Sequence, residues 1–442
     1  MLTQARTSQP IVETHGLSFG QHSHKNTEMP KTTAFHSRLE PLNETKIWKN
    51  WSGYLVAPNY QHSIASEYYA IRNSVSLLDT SPLFKYEFRG DDVSKLLQIA
   101  LARDIRNCDP GEAQYTVWCD ADGYVVQDGV IVCLSENHFR LTAAEPALRY
   151  FRQIAHKLEL TDVHVNDISS DFGILALQGP HAFDVLSKLN SEVSQLKYFE
   201  AIETEIADRP VLVSRTGYTG DLGYELWIRA DDAETIWDQL MLAGKDYNIT
   251  AIGTTAMKMS RVEAGLLLMG VDFFNSKHAW VNAQRETPIE LGWQWMFRKL
   301  KNDDRDFIGR YAIETEIKNR SNRWKTVGLE IDWAAYQDAF ENAGITPPMH
   351  EQYFEQTMSI YRICNEPYQY LGYASSFLFS SLLKKPIAIA KLPLESATPG
   401  TEVEIEISVI RKPDNVLARV TKLPFFNPDR KTASPKPKKA QP

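Results

Sequence analysis

The chain predicts an α+β protein that ends in an all-β domain, and three observations carry that expectation. Strand and helix signals alternate irregularly over most of the length, without the strict strand–helix–strand rhythm of a parallel α/β fold. After about residue 305 the texture changes to short strand-like runs, "TVGLEID", "PIAIAKL", "EVEIEISVI" and "VLARVTKLPF", separated by turns. That pattern belongs to a small barrel or sandwich. Finally, 442 residues with 43% hydrophobic and 24% charged content are ordinary for a globular protein and enough for several cores.

Residues 1–44 are polar and rich in Ser, Thr and His, and are expected to form a flexible extension. His22 and His24 could ligate a metal, but no partner cluster lies near them in sequence. "DDVSKLLQIALARD" (91–104) has a helical apolar face through Val93, Leu96, Leu97 and Ala100. "QYTVWCDADGYVVQDGVIVCL" (114–134) alternates as a hairpin around an Asp-Gly turn, yet carries Gln127-Asp128-Gly129 where a buried strand would prefer Val or Ile. "FRLTA" (139–143) reads as a strand and "PALRYFRQIAHKL" (146–158) as a helix with Pro146 near its start. "FGILALQGP" (172–180) is a buried strand with a Gly-Pro stop, and "VLVSRTGYTGDLGYELWI" (211–228) is two strands around a Gly-rich connection. The next helix opens with an Asp231-x-x-Glu234 capping pattern and closes near Gly244. The Lys/Pro-rich tail, 429–442, is expected to be disordered.

A formal net charge of −8 argues against a nucleic-acid partner. No apolar run reaches membrane-spanning length and no signal-peptide core precedes the domains, so neither a membrane nor secretion is expected. Cys108, Cys119, Cys133 and Cys364 form no CxxC pair, which fits a reducing, cytoplasmic compartment. Ten Trp, 19 Tyr and 19 Phe suit either a flat-ring ligand or simply large cores. The Gly-rich segment 215–225 is neither GxGxxG nor a P-loop, and it joins strands instead of opening a helix.

Taken together, "LLDTSPLFKYEFRGDD" (77–92), the hairpin, "LALQGP" (175–180), "RTGYTGDLGYE" (215–225), "RVEAGLLLMGVDF" (261–273), "TPIELGW" (287–293), "RDFIGR" (305–310) and "VTKLPFFNP" (420–428) resemble the glycine cleavage T-protein (aminomethyltransferase) family. Each motif is weak alone, but the ordered set spans roughly residues 50 to 428. The resemblance implies a three-domain cloverleaf with tetrahydrofolate in a central funnel. It divides the chain into two intertwined α+β domains over 45–304 and a β-barrel over 305–428. It places the pterin-binding carboxylate on Glu225, which is chemically sensible because a carboxylate accepts two parallel N–H bonds from an aminopyrimidinone edge. Tyr115 and Tyr218 match positions near the ligand, although either could equally pack in a core.

The chain departs from the family at ligand-facing positions. An ungapped alignment of the hairpin puts the family's catalytic Asp on Gln127 and the following Asp on Asp128, so these two are the candidate catalytic pair. Gln cannot exchange a proton near neutral pH, and Asp128 should point to the opposite face of the strand. In "AMKMSRVE" (256–263) Arg261 is kept with the ligand-binding set, while Met257 replaces a ligand-associated arginine and Lys258 its acidic neighbour. Ala144 stands where the family has a folate-contacting Asn. A neutral amide followed by Asp is similar to dimethylsulfoniopropionate demethylase, and aryl-ether O-demethylases of this fold also lack the acid. The resemblance therefore implies a tetrahydrofolate-dependent methyltransferase that demethylates a small S-, N- or O-methyl compound. The alternatives are an aminomethyltransferase with an altered site, served by a lipoyl carrier protein, and a non-catalytic folate-binding protein. The Gln127-Asp128 pair could instead mark a β-bulge.

Overall fold

The computed structural model describes residues 30–348, 353–355, 357–363 and 369–435. Three large sheets organise them, beside a two-stranded one formed by Lys49–Trp51 and Tyr54–Val56. The first runs in the order Ala201–Ile206, Arg209–Ser214, Gly223–Arg229, Phe172–Gln178, Ser76–Asp79 and Thr250–Ala251. The chain leaves this sheet after Asp79, builds the second, and returns at Phe172. The second sheet orders Glu112–Cys119, Val125–Ser135, His138–Ala143, Phe84–Arg89 and His164–Asp167. It is therefore an insertion within the first.

The third sheet is the C-terminal barrel. Gln369–Ser380, Met358–Arg362, Glu402–Val409, Lys412–Thr421, Lys325–Ile331 and Lys385–Leu392 pair in a ring that the contact between Gln369–Ser380 and Lys385–Leu392 closes. Closure leaves few free strand edges, which is how short strands become stable without aggregating. Alternation sets the inside: in Glu402–Val409 the residues Val403, Ile405, Ile407 and Val409 are buried, and the glutamates between them face outward.

Helices cover the two N-terminal sheets. Val93–Ala100 buries the four residues that its periodicity selects, and it packs with Leu148–Lys157 over the second sheet. Ala182–Leu189 and Ala233–Gly244 cover the first. The expected cap at Asp231 does not form. Asp232 occupies the N-cap without a side-chain hydrogen bond and pairs instead with Arg209 at 3.4 Å, while Glu234 pairs with Arg38 at 3.2 Å.

Both terminal expectations need correction. Within the predicted extension 1–44, residues 30–44 are part of the fold: Phe35 is fully buried against Trp237, and Arg38 makes a two-pronged bond to Asp238 at 2.8 Å on each arm. His22 and His24 lie outside the described residues, as does Cys364. At the other end, residues 429–435 dock through Arg430 and are not a free tail.

Buried ion pairs join the barrel to the rest. Arg261 pairs with Asp272, whose carboxylate also accepts from Ser375 and Ser376 of the barrel at 2.5 and 2.7 Å. Arg72 pairs with Glu263 at 2.7 Å, and Ser380 donates to the same glutamate at 2.6 Å. Lys391 reaches out of the barrel to Glu286.

Candidate functional site

The three sheets enclose a cavity of about 1300 Å³, larger than the usual small-ligand pocket of a few hundred to about a thousand Å³. The hairpin contributes Tyr115, Asp128 and Gly129. The first sheet gives Gln178, Glu225 and the loop from Thr216 to Thr219. Met257 and Lys258 come from helix Thr254–Glu263, Trp293 and Trp295 from the segment before the barrel, and Thr421 to Pro424 from the barrel's last strand and exit.

Strand alternation decides the hairpin. Within Val125–Ser135, Asp128 pairs with Val117 and Gly129 with Thr116 in regular register. The irregularity lies one residue earlier: Trp118 pairs with Gln127 and Cys119 with Val125, so Val126 is the extra residue. A bulge therefore adjoins the pair, with Gln127 at its edge and Asp128 already in regular pairing. Asp128 faces the cavity, whereas Gln127 is 1% exposed and accepts the backbone N–H of Glu145 at 3.0 Å. The expectation that Gln127 acts at the site is corrected accordingly, because its parity on the strand turns it into the protein. Gly129 also has a reason to be glycine: a Cβ there would lie 2.2 Å from the Thr142 carbonyl. Gln127→Ala should leave ligand affinity nearly unchanged and turnover within about a hundredfold. Thermal unfolding should show the loss instead, about 1–3 kcal/mol for an orphaned N–H; a collapse of activity in a stable variant would contradict this.

Asp128 is the carboxyl that the hairpin brings to the wall. Burial pushes its carboxyl up to about 6, and the hydrogen bond from Tyr115 Oη at 2.8 Å only partly counters that. The Tyr115 ring stands edge-on to Trp293, with centroids 5.7 Å apart, and Trp293 in turn packs on Phe273 at 5.3 Å. Tyr218 lines the same cavity and donates to the Leu267 carbonyl. Burial raises both phenols well above their ordinary range, so they remain neutral donors.

Glu225 sits on Gly223–Arg229 opposite Ser214. Thr216 donates to it and is itself bonded to Ser214 at 2.7 Å; burial raises its carboxyl, an effect Thr216 opposes. One side-chain donor leaves most of the carboxylate's acceptor sites available to a ligand. Met257 and Ala144 both line the cavity, so two of the departures from the family pattern face it. Lys258 is engaged by Glu355 at 2.5 Å.

Arg261 does not reach the cavity. It is fully buried and held by Asp272, the Leu266 carbonyl at 3.2 Å, Tyr353 Oη at 2.8 Å and Ser376 Oγ at 2.7 Å. Its assignment to the ligand set is corrected: it ties its helix to the barrel. Two contributors escaped the sequence reading. Gln178 donates to the carbonyls of Thr216 and Tyr224 at 3.2 and 3.3 Å and accepts from Thr219 at 2.9 Å, and so shapes the Gly-rich loop. Its signal was present in "LALQGP", where a lone Gln closes an apolar strand. Arg103 donates to the Tyr115 carbonyl at 2.9 Å and lies 5.1 Å from the Trp295 ring centre, with no sequence signal to mark it.

Among the described residues no group of His, Cys, Asp and Glu could hold a metal ion, and no helix is long and apolar enough to cross a membrane. The GCVT N-terminal domain model matches residues 33–301, and the glycine cleavage T-protein C-terminal barrel domain model matches 326–427. An aminomethyltransferase of Bacillus subtilis (strain 168) is 32% identical over 369 residues, covering 82% of this chain and 91% of that protein. One from Anoxybacillus flavithermus (strain DSM 21510 / WK1) is 31% identical over 367 residues, covering 82% and 90%. The crystal structure of glycine cleavage system aminomethyltransferase T from Bartonella henselae superposes with a TM-score of 0.75 at 21% identity, over 90% of this chain and 98% of that one, and so shares its fold. With both domain models matched in order and relatives above 30% identity along most of its length, the chain belongs to the glycine cleavage T-protein family.

Proposed function

We propose that the chain is a tetrahydrofolate-dependent methyltransferase that demethylates a small methylated donor, preferably a sulfonium or quaternary ammonium. Support comes from the wall around Asp128. Asp128 stands in a cavity that Tyr115, Tyr218, Trp293 and Met257 also line, with Ala144 where an amide is expected. A cationic donor gains from both the carboxylate and the aromatic faces, the latter about 0.5–2 kcal/mol per contact. The residues also suit a folate: Glu225 offers acceptor sites for the paired N–H groups of an aminopyrimidinone edge.

Bound tetrahydrofolate would supply the secondary amine that accepts the one-carbon unit. The chain's own residues then have three tasks. Glu225 orients the acceptor, and the aromatic wall excludes water and positions the donor. Ionised Asp128 neutralises the onium, and takes up the proton displaced when an N–H becomes an N–CH₃. The donor departs as a neutral sulfide or amine, so no acid is required on that side. The presence of Asp128 replaces the expectation of a site without a proton-handling carboxylate. It also favours an alternative, aminomethyl transfer from a lipoyl carrier protein, in which the same carboxylate would serve the amines.

The pH dependence follows from Asp128. Its carboxyl is held at about 6, above the ordinary aspartate value, so the ionised form dominates above that pH and is lost below it. Turnover should fall as pH drops through about 6, and Asp128→Asn should remove that limb along with most activity. Purified protein with tetrahydrofolate and a methylated onium compound should yield 5-methyltetrahydrofolate by mass spectrometry. Production of 5,10-methylenetetrahydrofolate from an aminomethylated carrier, without methyl product, would overturn methyl transfer and install the alternative.

A further inference from the structure

Beyond the barrel, residues 429–435 turn back toward the Gly-rich loop. Two arginines hold it. Arg430 grips Asp221, a fully buried carboxylate, with Nε and Nη2 at 2.6 and 2.8 Å. Arg215, 1% exposed, donates from Nη2 to the carbonyls of Lys431 at 3.2 Å and Ala433 at 2.6 Å, and from Nη1 to that of Leu196 at 3.1 Å. The strap is thus fastened on both sides of Lys431, and Arg215 is the chain neighbour of Thr216, the donor to Glu225.

Between these anchors Lys431 lines the cavity. Its ammonium lies 5.7 Å from the centre of the Tyr198 ring, and among the described residues it makes no ion pair with a carboxylate. Burial alone acts on it, lowering its pKa. Holding a cation half-buried without a counter-ion is unfavourable. A structure that fastens the backbone on either side of such a cation, and points it into a ligand cavity, leaves the counter-ion to be supplied by the ligand.

We propose that the strap of residues 428–433 presents Lys431 to the ligand site and that Lys431 binds an anionic group, a carboxylate, on the ligand. This rests on the folate assignment above, under which the carboxylate belongs to the glutamyl end of the cofactor, remote from the pterin that Glu225 holds. Asp221, Arg430 and Arg215 are then positioning residues, which act by keeping the strap closed.

The test compares two ligands in calorimetric titrations of the full chain: 5-methyltetrahydrofolate, and a tetrahydropterin lacking the benzoylglutamate arm. Lys431→Gln should weaken the folate about tenfold at low salt, the size of one lost charge-assisted contact, and leave the tetrahydropterin unchanged. The difference should shrink as ionic strength rises. Arg430→Gln should weaken the folate similarly and speed tryptic cleavage after Lys431, and bound folate should slow that cleavage in the unaltered chain. Equal folate affinity in Lys431→Gln and the unaltered chain overturns the assignment, and so does an equal loss for both ligands, which marks a merely structural lysine. An unaltered chain that binds neither ligand overturns the folate reading, and the role of Lys431 with it.

Discussion

Asp272→Ala is expected to destabilise the protein by about 3–5 kcal/mol, the usual result of stripping a buried charge of its partner. The Asp272 side chain is shielded from solvent and accepts from Arg261, from the Leu268 N–H at 2.8 Å, and from Ser375 and Ser376 of the barrel. Burial works against the Arg261 charge and Asp272 outweighs it, holding the guanidinium's pKa above its already high ordinary value. Without Asp272 that guanidinium would remain buried with only neutral acceptors. Asp272→Asn keeps an acceptor of the same shape and should lose less than the alanine variant. Urea unfolding gives the comparison; a loss under about 1 kcal/mol for the alanine would mean that water reaches Arg261 once the carboxylate is gone.

Glu225→Ala is expected to lower folate affinity by about 2–3 kcal/mol, the value of a charge-assisted hydrogen-bonded pair. The strand should tolerate the change, since Glu225 is paired to Ser214 through its backbone and its side chain holds only Thr216. Burial raises the Glu225 carboxyl from its ordinary value, so affinity should decline as pH falls and the group protonates, provided that the ionised form does the binding. Titration calorimetry on the folded variant measures the loss, and unchanged affinity would remove Glu225 from the site.

The barrel strands and the helix Val93–Ala100 were legible because each declares its buried face within its own few residues. The site was legible in part. Glu225, Tyr115, Tyr218, Asp128 and Met257 do gather around one cavity. Gln127 and Arg261 were misplaced for different reasons. The side of the hairpin that meets the cavity depends on how the sheet packs, which no alternation within the strand reports. A buried arginine serves a ligand or a fold according to its partner, and Asp272 lies in a loop eleven positions on. Phe35 illustrates the same limit at the N-terminus: one aromatic in a polar stretch carries no signal until Trp237 is brought beside it.

The insertion of one sheet inside another has a kinetic meaning. In the first sheet Asp79 pairs with Leu175, across a connection that holds the whole second sheet. Closing that connection as an unstructured chain of about a hundred residues would cost about 3 kcal/mol more entropy than closing a short turn. A pre-formed insert removes most of that penalty, because its own ends are already zipped: Tyr86 pairs with Asp167, and the Ile168 N–H bonds the Lys85 carbonyl at 2.9 Å. The insert is therefore expected to assemble first and act as the clamp on which the surrounding sheet condenses. In pulsed hydrogen exchange during refolding, the amides of Val132 and Leu141 should gain protection before those of Leu175 and Leu177.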